Sequence, residues 1–193
     1  MLCDFLKSCL SVVWRRGWVL VVLNWLFFGF IVFGGLLGQF GVVEVYYWPF
    51  GEIFPVEVGN AFLTVGFIFI SNLILSSFVL VTLTGLAFFG LPLFFISFRA
   101  FLWGMLLNGL STPLFLAALP IVLLEGEGYV LAALAGVNLG LSWLKPSWAY
   151  RCEDLPRLEA FKRALKDCAR IYVLVAAVLL VAAVVETLTL VLI

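Results

Sequence analysis

Residues 61–110 read AFLTVGFIFISNLILSSFVLVTLTGLAFFGLPLFFISFRAFLWGMLLNGL, and across that stretch Arg99 is the one charged side chain. A helix that crosses a bilayer needs about 20 apolar residues to cover about 30 Å of hydrocarbon. The stretch is too long for one such helix, so it must cross, turn and cross back. Gly85, Gly90 and Pro92 mark the turn, because glycine and proline end helices and permit tight reversals. Spans over 61–84 and 86–110 follow.

The same arithmetic extends in both directions. Upstream, 17–40 is long and apolar enough for another span. Downstream, 112–124 is apolar but only about half the required length. It carries Pro113 and Pro120 and ends at Glu125-Gly126-Glu127-Gly128, which predicts a re-entrant or half-membrane segment. Segments 129–144 and 171–193 supply the fourth and fifth spans. Residues 41–60 form an outer loop between the first two. The expected fold class is all-α: one polytopic helical membrane domain over 1–193, with five transmembrane helices plus the half-span.

Composition excludes most alternatives. Apolar residues make up 65% of the chain and charged residues 11%, whereas soluble domains run about 45–50% and about 25%. The 11 basic residues balance the 11 acidic ones, so no basic surface points to nucleic acid. Histidine is absent, which removes His bases, His metal ligands and Ser-His or Cys-His pairs. No catalytic residue, metal site or cofactor is expected. Cys3, Cys9, Cys152 and Cys168 show no metal-ligand spacing and fall on one side of the predicted membrane, as reduced thiols. No signal peptide is evident, since the first apolar run exceeds an h-region in length.

Charge position predicts orientation. Lys7, Arg15 and Arg16 precede the first span, and Lys145, Arg151, Arg157, Lys162, Arg163, Lys166 and Arg170 lie between the fourth and fifth. Loop 41–60 carries only Glu44, Glu52 and Glu57. The positive-inside rule then gives a cytoplasmic N-terminus and an outer C-terminus in a plasma-membrane, multi-pass protein. Trp14, Trp18, Trp143, Trp148 and Tyr150 mark the inner interface, and Tyr46, Tyr47, Trp48 and Phe50 the outer one. Residues 154–169 read as a cytoplasmic amphipathic helix, with Asp154 as cap, Pro156 in its first turn, and Leu158, Phe161, Leu165 and Cys168 on one face. A soluble cytoplasmic partner could dock on 151–170.

Four ionisable residues fall within or beside the apolar segments. Arg99 lies near the middle of the third span, Glu186 in the outer half of the last, and Glu125 and Glu127 after the half-span. A charge at the bilayer centre costs several kcal/mol, roughly 2.5–3.5 on insertion scales, unless it is paired or hydrated. Arg99 is therefore expected to contact one of the three glutamates, Glu125 first. The cluster either pins helices together, or lines an ion, proton or substrate path, or performs chemistry. Small residues recur every fourth position as Gly128, Ala132, Gly136 and Gly140, and as Gly34 and Gly38. Such stripes admit close helix approach, within one chain or across a homodimer, and a homodimer is the expectation taken. Asn72 and Ser76 share a face of the second span and suit interhelical hydrogen bonds.

In its motif order the chain resembles the stage II sporulation protein M family of membrane proteins. Phe69-Ile70-Ser71-Asn72 resembles the family's Asn-bearing span. Gly90-Leu91-Pro92 and Asn108-Gly109 resemble its Gly-rich following span. Pro120-Ile121-Val122-Leu123-Leu124-Glu125 keeps the Pro and Glu of a Pro-His-Gly-x-x-Glu motif, with Ile121 and Val122 in place of His and Gly. Ala132, Gly136 and Gly140 fall at the family's small positions, and Val185-Glu186-Thr187 resembles its closing Ile-Glu-Ala. The resemblance spans residue 61 to the end. It implies a five-to-six-span protein with no established catalytic activity. The family is named for engulfment during bacterial sporulation, where it works beside cell-wall-degrading partners. Related proteins also occur in organisms that never sporulate, archaea included.

Three readings of function follow. The first is a non-enzymatic membrane protein with a transport-like or scaffold role built on the Arg/Glu cluster. The second is a permease or channel subunit for an ion or small solute. An intramembrane hydrolase ranks last, because Glu125 and Glu127 have no histidine to work with.

Overall fold

The computed structural model of the chain describes residues 2–39, 60–150 and 155–192. Loop 41–60 except Asn60, Asp154 and the residues beside it, and Ile193 lie outside the described residues. Helix α1 (Leu2–Arg15) is followed by α2 (Gly17–Gln39), α3 (Ala61–Ala87), α4 (Leu91–Asn108), α5 (Thr112–Leu144) and α6 (Arg157–Leu192). A single helical turn, Pro146–Ala149, links the last two. Helices α2 to α6 are each long and apolar enough to cross a membrane, and no strand occurs among the described residues. The all-α, five-span expectation holds.

Local sequence explains the element ends. Asn60 caps α3, its side-chain oxygen accepting from the Phe62 and Leu63 amides, donors that the first turn of a helix leaves unpaired. Helix α3 stops at Ala87 and α4 begins at Leu91, so the turn sits where Gly85, Gly90 and Pro92 predicted it. Pro92 occupies the first turn of α4, where its missing N–H leaves nothing unpaired. Within α3, Ser71–Leu83 is wound as a π-helix, a rare widening that tends to mark functional positions.

Two boundaries are corrected. The predicted half-span 112–124 and fourth span 129–144 are one continuous helix of 33 residues, about 50 Å at about 1.5 Å per residue. Pro120 is accommodated inside it, as proline is in membrane helices when neighbours take up the freed carbonyl. The Glu-Gly-Glu-Gly run does not break the helix either. Gly126 and Gly128 are contact points, where an added Cβ would lie 2.5 Å from the Phe27 ring and 2.6 Å from Leu179 Cδ2 respectively. The predicted cytoplasmic helix and fifth span are likewise one helix of 36 residues. Its buried face there is Ala160, Ala164, Asp167 and Cys168, while Leu158 and Leu165 are exposed. Small side chains let α6 sit close to its neighbours, which the larger leucines could not.

Helix α5 is the central post. Its stretch from Gly128 to Gly140 is buried throughout, packed on α6 along one side and on α3 along the other. The glycine stripes are occupied within the chain. A Cβ on Gly140 would lie 2.3 Å from the Gly85 carbonyl oxygen, and one on Gly85 2.2 Å from that of Gly136. The Gly34 stripe meets α4, where a Cβ would lie 2.1 Å from Phe101 O, and Gly38 faces Asn108. The homodimer expectation therefore loses the support it drew from these glycines. Gly109 does not pack but caps α4, its N–H bonding to Leu106 O.

Pairings fix the helix directions. Gly34 opposite Phe101 and Gly38 opposite Asn108 make α2 and α4 parallel. Asn72 opposite Glu125 and Gly85 opposite Gly136 make α3 and α5 parallel to each other. Glu125 beside Glu186, with Gly128 against Leu179, sets α6 antiparallel to α5. The N-terminal halves of α3 and α5 thus share one end of the bundle with the C-terminal halves of α4 and α6.

Candidate functional site

That shared end holds a cavity of about 390 Å³ between α3, α4, α5 and α6. Its polar residues are Ser71, Asn72, Arg99, Glu125 and Glu186; Phe67, Leu106, Leu107, Leu110, Ile121 and Val122 are among the apolar ones. The five polar residues arrive from four helices. Ser71 and Asn72 open the π-wound part of α3, and Arg99 stands near the middle of α4, about 12 Å along its axis at about 1.5 Å per residue. Glu125 comes just after Pro120 on α5, and Glu186 sits near the end of α6.

The floor is a hydrogen-bonded relay. Tyr129 donates its hydroxyl proton to Asn72 Oδ1 at 2.8 Å, and Asn72 Nδ2 donates to Glu125 Oε1 at 2.5 Å. These two bonds fix which way the amide faces and hold Glu125 against α3. Ser76 also reaches the Tyr129 hydroxyl. Glu125 is buried, and its carboxyl lies beside that of Glu186. Oε2 of Glu186 is buried without a hydrogen-bond partner.

Arg99 shares the cavity with both carboxyls and feels their charge, but the expected direct contact is not what forms. Among the described residues no carboxylate lies within 4 Å of its guanidinium, and its Nε is buried with no partner. The guanidinium instead lies over two rings, 4.2 Å from the Tyr129 centroid and 5.0 Å from the Trp103 centroid. Stacking on aromatic faces offsets part of the cost of removing a guanidinium from water, about 2 kcal/mol or more when desolvated. Glu127 is not part of the site. It is half-buried on another side of α5, beside the Asn24 side chain of α2. Ala132 carries Thr82 on its carbonyl at 2.8 Å, and with Gly128, Gly136 and Gly140 it serves packing, away from the cavity.

A second polar cluster closes the opposite end, and sequence reasoning missed it. Asp167 is buried and bonded to Arg15, accepts from the Tyr150 hydroxyl at 3.0 Å, and lies 3.8 Å from Arg170. Arg16 donates to Asn138 Oδ1 at 3.0 Å. Arg15, Arg16 and Arg163 all stand over the Tyr150 ring, at 5.5, 5.4 and 4.9 Å. Tyr150 is therefore not an exposed interface marker but a buried hub. Burial, then the Asp167 charge, pushes its hydroxyl up to about 12. The cluster ties α1 to α5 and α6. The polar groups of the basic end thereby link those helices to one another. No group of residues suited to hold a metal ion occurs among the described residues.

A family model described as stage II sporulation protein M matches residues 26–189, a range that includes every residue of the cavity. No curated protein and no solved structure matches the chain.

Proposed function

Since the chain belongs to the stage II sporulation protein M family and folds as a bundle of membrane-crossing helices, we propose that it is a non-enzymatic integral membrane protein. In this reading it binds a small polar solute within the bundle, in a transport-like role at the plasma membrane. One observation carries the reading. A permanently charged guanidinium and two carboxyls line a single cavity among apolar helices, yet the guanidinium is paired with neither. A cluster serving only to pin helices would close into an ion pair, because unpaired charge at that depth is costly. The cavity volume falls within the range of about 300–1,000 Å³ common for small-molecule sites. The basic end faces the cytoplasm by the positive-inside rule, which places the cavity in the outer half of the bilayer.

The experiment is thiol labelling in vesicles. In a variant with its native cysteines replaced, Leu107→Cys on the cavity wall should react with a charged, membrane-impermeant methanethiosulfonate from one side. Lys162→Cys, exposed at the basic end, serves as the positive control. A Leu107→Cys that stays unreactive from both sides while Lys162→Cys reacts makes the cavity dry and overturns the reading.

A scaffold role is the second reading, supported by a separate observation. Leu158 and Leu165 are exposed, at 59% and 46%, on the basic extension of α6, an apolar strip suited to a soluble cytoplasmic partner.

A further inference from the structure

Taking the cavity to be a solute site, as above, its unpaired atoms specify the ligand. A guanidinium cannot lose its proton in a protein, so it must find acceptors. Among the described residues none of the hydrogen bonds comes from Arg99, and its Nε is buried without a partner. Its Cζ lies over the Tyr129 and Trp103 rings, which offer π-faces in place of oxygen acceptors. Its fork of N–H donors, shaped for a carboxylate or phosphate, is left without an acceptor. The neighbouring carboxyls do not fill that fork. Glu125 is held away by Asn72, which is in turn fixed by Tyr129. Glu186 lies beside Glu125, with Oε2 buried and free. The cavity therefore offers unpaired donors at Arg99 and an unpaired acceptor at Glu186, whose carboxyl is hydrogen-bonded to that of Glu125. A lone anion would satisfy Arg99 but sit beside two carboxyls. A lone cation would satisfy Glu186 but sit beside the guanidinium.

We infer that the site takes a dipolar ligand: a carboxylate or phosphate on the Arg99 edge and an ammonium group on Glu186, within one small molecule or headgroup. Two sources carry that chemistry, a free amino acid and the headgroup of an ethanolamine phospholipid. The apolar walls formed by Leu106, Leu107 and Leu110 beside the polar floor accommodate either an amino-acid side chain or the start of an acyl chain.

The test measures binding to the full-length protein in detergent by calorimetry. The probes are alanine, leucine and glycerophosphoethanolamine, with acetate, glycerol phosphate and ethanolamine as the separate halves. The expected result is that one dipolar probe binds at least tenfold tighter than either of its halves. An amino-acid preference assigns a free solute, and a glycerophosphoethanolamine preference assigns the lipid headgroup. Arg99→Gln should abolish binding of the dipolar probe. Glu186→Gln should weaken it at least tenfold while leaving the anionic half unchanged. Anionic halves that bind as tightly as the dipolar probes, and are lost in Arg99→Gln, overturn the dipolar inference and leave the solute-site reading standing. Absence of binding by every probe overturns the dipolar inference, while thiol labelling of Leu107→Cys decides the solute-site reading separately. Because Arg99→Gln could unfold, each variant is first required to keep the wild-type elution volume, and Glu186→Gln provides the second route to the same conclusion.

Discussion

Replacing Gly85 by alanine adds one methyl group at the closest backbone contact between α3 and α5. The new Cβ would stand 2.2 Å from the Gly136 carbonyl oxygen, 2.5 Å from its carbon and 2.8 Å from its Cα. All three are backbone atoms, so no side chain can rotate away. Ordinary contact between heavy atoms is about 3.5 Å, and the helices must part by about 1.3 Å at that level. Thr82 donates to Ala132 O one turn away, at 2.8 Å, and a shift of that size breaks the bond. Overpacking costs about 1–3 kcal/mol and the lost hydrogen bond about 0.5–1.5, so about 1.5–4.5 kcal/mol is expected together. The assay is denaturant unfolding in mixed micelles, followed by far-UV circular dichroism, with Gly66→Ala as control. A Cβ at Gly66 meets nothing within 4 Å, and alanine there should leave stability unchanged or raise it by up to about 1 kcal/mol. The reasoning is refuted if Gly85→Ala unfolds within about 0.5 kcal/mol of wild type, inside the usual scatter of surface substitutions. It is equally refuted if Gly85→Ala leaves stability intact and instead lowers the molar mass by light scattering, which would put this contact between two chains.

Three further expectations follow from single sites. Stability should hold up to about pH 10 and fall toward about pH 12, because the unfolded chain releases the Tyr150 proton near 10.0 while the folded chain keeps it to about 12; Tyr150→Phe should flatten part of that loss in unfolding midpoints taken across pH. Asn72→Leu removes one hydrogen bond each from the Tyr129 hydroxyl and Glu125, leaving Ser76 on the first and Glu186 on the second, and should cost about 1–3 kcal/mol at about 0.5–1.5 for each bond, whereas an unchanged midpoint contradicts the relay. In a cysteine-free chain, Glu52→Cys should label from outside and Lys162→Cys from the cytoplasm only; labelling of both from one side contradicts the five-span orientation.

The span count was legible because hydropathy and turn chemistry act locally. Gly85, Gly90 and Pro92 placed the α3–α4 turn to within a few residues of where it forms. The same local rules misread Glu125-Gly126-Glu127-Gly128, since a glycine that admits a neighbouring ring and a glycine that ends a helix look alike in sequence. Only the tertiary contacts with Phe27 and Leu179 separate the two. The cavity was half legible. Arg99, Glu125 and Glu186 stood out as charges in apolar sequence, and Asn72 as an amide on a span, and the structure gathers all four. Their pairing was not legible. Opposite charge suggested an ion pair, whereas Asn72 engages Glu125 and Tyr129 with Trp103 engages Arg99, contacts set by the rotation of α3 and α4. The Tyr150–Asp167 hub was missed because its members come from α1, α6 and the link after α5. A buried aspartate in a helix that reads as cytoplasmic carries no periodic signal.

The central claim is that the Arg99 cavity holds a polar ligand or water and does not close on its own carboxyls. An experimental structure of the full chain in lipid nanodiscs, at a resolution that shows ordered water, tests it most directly. The account predicts density within hydrogen-bond distance of the Arg99 edge and of Glu186 Oε2, with Arg99 still stacked on Tyr129 and Trp103. A dry, collapsed site in which Arg99 forms a bidentate ion pair with Glu125 or Glu186 would contradict it.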